Sequence, residues 1–154
     1  MHFANTDDLA VAVFQQAFSE IEDSGQVLGL ARTVSTEQVV RSVAERLVRH
    51  VHQHREFYRL SLQAAYAGHH KAVDELAAHL SQTIPLVAVV PAGVSVGAAA
   101  RYIAAGNLAV LRAWVIGELP GSVGDITNQI VAMLPAWLVS PDPLPPDPGE
   151  AGKS

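Results

Sequence analysis

Apolar residues return at helical intervals along most of the chain. From about Thr6 to Glu22, Leu9, Val13, Phe14, Ala17, Phe18 and Ile21 share one side of a 3.6-residue repeat. Asn5 or Thr6 stands at the cap position, and Asp7 and Asp8 follow where acids oppose the positive end of the helix dipole. Gly25 and Gly29 then loosen a linker. Ser35-Thr36-Glu37-Gln38 reads as a capping box, opening a second helix that carries Val39, Val40, Val43, Leu47 and Val51 as far as His54. A third, shorter helix holds Phe57, Tyr58, Leu62 and Tyr66 and is expected to stop around Gly68. A fourth repeats the pattern with Val73, Leu76, Ala77, Leu80 and Ile84, and Pro85 is expected to end or kink it.

The stretch from about Val96 to Glu118 is apolar on more than one side. Val96, Ala100, Ile103, Leu111 and Trp114 form one face, and Ala104, Leu108 and Val115 another, beside Arg101 and Arg112. A helix of this kind is sandwiched between neighbours. Leu119-Pro120-Gly121 turns the chain, Ser122 with Asp125 forms a second capping-box pattern, and a last helix sets Ile126, Ile130, Met133, Leu134 and Trp137 toward a partner. From Ser140 the sequence Pro-Asp-Pro-Leu-Pro-Pro-Asp-Pro-Gly cannot pack. The pattern predicts an all-α, mainly antiparallel bundle of about six helices over residues 6–139, preceded by a stub at 1–5 and followed by a disordered tail at 140–154.

Composition narrows the function classes. The 154 residues suit one domain with a real core. Apolar residues make up 49% and charged residues 16%, against about 25% charged in typical soluble domains, so part of the apolar surface is expected to meet a partner or ligand. A formal net charge of -5 argues against a domain that grips phosphates by itself. Without cysteine there is neither a disulfide framework nor a thiolate metal site. With no signal-like opening segment, the expectation is a cytoplasmic protein. No formal charge occurs between Leu76 and Ala100, yet His79, Ser81, Gln82, Pro85, Pro91, Gly93, Ser95 and Gly97 interrupt that stretch, so no membrane span is expected.

Three patterns bear on chemistry. Gly93-Val94-Ser95-Val96-Gly97 matches the nucleophile elbow of serine hydrolases and follows a strand-like Leu86-Val87-Ala88-Val89-Val90. That fold needs its histidine after the serine, whereas all seven histidines precede Ser95, and no alternation of strands and helices accompanies the motif. Ser95 therefore reads as a helix cap, and no enzyme is expected. His50 and His54, four residues apart, share a helical face that suits two imidazoles on one metal, but polar satisfaction of a helix end is the reading preferred, with no metal and no cofactor. Phe14, Phe18, Phe57, Tyr58, Leu62, Tyr66, Tyr102 and Leu111 could line a cavity among the helices, and each is also an ordinary core residue. Asn107, on the face of Ile103, Leu111 and Trp114, needs a polar partner if buried.

The order of these segments resembles the tetracycline-repressor (TetR) family of transcription regulators over about residues 2 to 138. His2-Phe3, Asn5, Asp7-Asp8-Leu9 and Phe14 are similar to the seam between that family's recognition helix and its connecting helix. His54-Arg55-Glu56-Phe57-Tyr58-Arg59 looks like its join between the second and third ligand-domain helices. The run from Arg101 to Trp114, then Gly117, Leu119-Pro120 and a capped final helix, looks like its penultimate and last helices.

The resemblance implies an effector-binding and dimerisation domain of a one-component repressor, lacking an intact helix-turn-helix. It implies an apolar effector held by Phe14, Phe18, Phe57, Tyr58, Leu62, Tyr66, Tyr102, Asn107 and Leu111, and a homodimer contact through Leu108, Arg112, Val115, Ile126, Ile130, Met133 and Trp137. His2 would be the one residue left from the DNA-binding end, with DNA a partner only where an upstream helix-turn-helix is present. The alternative is a stand-alone helical ligand-binding protein or an antirepressor that heterodimerises with full-length regulators.

Overall fold

The structure is a computed structural model. It describes residues 35–64 and 66–139, with the side chains of 35–59 and 70–139. The expected first helix, the stub at 1–5 and the tail at 140–154 lie outside the described residues. Those described are all-helical, with no strand among them: α1 (Thr36–Gln53), α2 (Arg55–Ala64), α3 (Tyr66–Val87), α4 (Val96–Val115) and α5 (Val123–Met133).

Each cap read from the sequence within the described residues forms. Ser35 accepts from the Gln38 amide at 3.2 Å while the Gln38 side chain accepts from the Ser35 amide at 3.3 Å, starting α1. Ser95 accepts from the Ala98 amide at 3.1 Å and starts α4, the role assigned to it in place of a nucleophile. Ser122 and Asp125 reproduce the reciprocal box at α5, at 3.2 and 2.9 Å. α4 stops in a Schellman arrangement: the Glu118 amide reaches the Ala113 carbonyl at 2.8 Å and the Gly117 amide the Trp114 carbonyl at 3.2 Å. Gly117 sits at φ +86, a conformation that side chains disfavour.

Three boundaries differ from expectation. The break between the third and fourth expected helices falls after Ala64 rather than near Gly68, so Gly68 lies inside α3. Pro85 does not end α3, which runs through it to Val87, and the ladder resumes with the Ala88 amide on the Ile84 carbonyl at 3.0 Å. Upstream, Ser81 and Thr83 donate to the Ala77 and His79 carbonyls four residues back, a bonding that bends helices and eases a proline into the last turn. The strand-like Leu86–Val90 is thus the end of a helix and an irregular connection. α5 is shorter than expected: Leu134 (φ -68, ψ 150) leaves the helix as a residue before proline must, and Pro135–Leu138 forms a separate turn holding Trp137.

α4 is the centre of the packing. It touches α1, α2, α3 and α5, most extensively α3, while α5 lies chiefly on α1. Ala72 and Ala77 of α3 and Ala100 and Ala104 of α4 are all buried in one cluster, and side chains this small let two helices approach closely. Arg41 donates to Asn128 at 2.6 Å and ties α1 to α5.

Candidate effector and subunit-contact surfaces

The join between α1 and α2 is a kink of one residue. His54 leaves the helical region (φ -113, ψ 26), yet backbone bonds run from His54 to the His50 carbonyl at 3.1 Å and from Tyr58 to the His54 carbonyl at 3.0 Å. Helical spacing therefore continues across the kink and stacks His50, His54 and Tyr58. His50 Nε2 lies 3.0 Å from the Tyr58 hydroxyl, and His54 Nδ1 lies 3.0 Å from the His50 carbonyl oxygen. A carbonyl can only accept, so His54 Nδ1 carries the proton there. The two imidazoles are 4.5 Å apart between centroids. Tyr58 is 1% exposed, and its burial pushes the phenol pKa well above the ordinary range.

His52 points elsewhere, stacking on Trp114 with centroids 5.6 Å apart. Trp114 is itself buried, and its Nε1–H donates to the Gly121 carbonyl at 2.9 Å. This contact pins the end of α1, the end of α4 and the α4–α5 turn together. Neither it nor the His50–Tyr58 bond was anticipated. The spacing of positions 50, 54 and 58 carried a signal for the latter, whereas the stacking of His52 on Trp114 joins distant segments and left none.

The residues expected around an effector separate into groups. Tyr58 and Leu111 are buried in one cluster, with Phe57 packed against it and edge-on to Tyr58 at 5.6 Å. Asn107 is half-buried on α4. Tyr102 does not join them: nine residues before Leu111, it lies on the opposite side of α4 and is 75% exposed. Phe14 and Phe18, and the side chains of Leu62 and Tyr66, lie outside the described residues, as does His2.

The seven residues expected at a subunit contact also divide. Leu108, Val115, Ile126 and Ile130 are 0–3% exposed and fill the chain's own core. Their spacing identified a buried face, and α1 and α3 have no need of a second subunit to bury it together with α4 and α5. Arg112 and Trp137 are half-buried, and Met133 is 61% exposed. Among the described residues no three or more His, Asp or Glu side chains are grouped to hold a metal, and no helix is long and apolar enough to cross a membrane. The chain matches no protein-family model, no curated protein and no solved structure.

Proposed function

We propose that this chain is the effector-binding and dimerisation portion of a TetR-like one-component regulator. The observation that carries the reading is the position of α4, the counterpart of the family's penultimate helix. It packs on α2, buries Leu111 in the same apolar cluster as Tyr58, and carries the half-buried Asn107 one helical turn before Leu111. An apolar effector with one polar group would use such an arrangement: the cluster supplies transfer free energy and Asn107 fixes orientation. With Leu108, Val115, Ile126 and Ile130 committed to the core, the subunit contact in this reading centres on Arg112, Met133 and Trp137. The formal net charge of -5 suits effector and subunit contacts better than phosphate contacts, and DNA is a partner only where an upstream helix-turn-helix is present.

Light scattering after gel filtration, combined with titration of 1-anilinonaphthalene-8-sulfonate as an apolar probe, tests this. The expected result is a mass of about twice 16.3 kDa and saturable binding of one probe per chain, weakened by Asn107→Leu and Leu111→Ala. A monomer whose probe signal never saturates, unchanged by either substitution, would overturn it.

A further inference from the structure

We draw no further inference here: the strongest candidate, the exposed apolar patch of Leu86, Val89 and Val94 at the uncharged connection between α3 and α4, carries nothing because nothing in the structure shows what covers it.

Discussion

Nε2 of His50 lies 3.0 Å from the hydroxyl of Tyr58, across the kink that separates α1 from α2. Tyr58 is itself buried, so the bond anchors the bend to the core. Tyr58→Phe keeps the ring and removes the hydroxyl, and is expected to cost about 1 kcal/mol in urea unfolding. Tyr58→Ala also opens a cavity and should cost about 3–5 kcal/mol.

The same phenol gives a pH dependence of defined sign. Its pKa in the folded chain is raised above the unfolded value of about 10, so the folded chain holds a proton that the unfolded chain releases. This contribution is fully present below about pH 10 and is lost as pH rises toward the folded value. Alkaline unfolding should therefore be shallower in Tyr58→Phe than in the parent chain, measured as midpoint against pH.

Leu111 and Tyr102 on opposite sides of α4 make a paired test of burial. Leu111→Ala should cost about 2–5 kcal/mol, whereas Tyr102→Ala should leave stability within about 0.5 kcal/mol.

Gly117 stands in open space, so a methyl group there meets no neighbour and only the backbone resists it. Gly117→Ala is expected to destabilise by about 1 kcal/mol through its positive φ. Gly106→Ala, in the interior of α4 and equally open, should stabilise by up to about 1 kcal/mol. Thermal melts of the two variants should move in opposite directions.

Asp125 accepts from the backbone and the hydroxyl of Ser122, and these bonds hold its carboxyl below the usual range. A depressed pKa gives stability that is present above the unfolded value and lost as pH falls through the folded one. Acid unfolding of Ser122→Ala should be less steep than that of the parent. Ser35→Ala, which removes the other box, should cost about 1 kcal/mol at neutral pH.

Helix starts were readable because caps are local: Ser35 with Gln38, Ser95, and Ser122 with Asp125 each place donor and acceptor within three residues. The all-helical class followed from the same periodicity. Helix ends were less legible. Nothing at Ala64 breaks a helix by composition, and Pro85 is absorbed in the last turn, where Ser81 and Thr83 bond to carbonyls four residues back. Periodicity revealed that Leu108, Val115, Ile126 and Ile130 share buried faces, but it does not say whose side chains bury them. For the same reason Tyr102 could be grouped with Leu111 from aromatic and aliphatic character alone, although nine residues of helix place them apart. The His50–Tyr58 pair was within reach of spacing, whereas the stacking of His52 on Trp114 depends on how α1 meets α4.

Since α4 borders each of the other four described helices, none of them can detach without wetting part of it. Loosening at any edge is thereby charged to a shared axle, and the described helices should melt in one step, with amides of α4 among the last to exchange with deuterium.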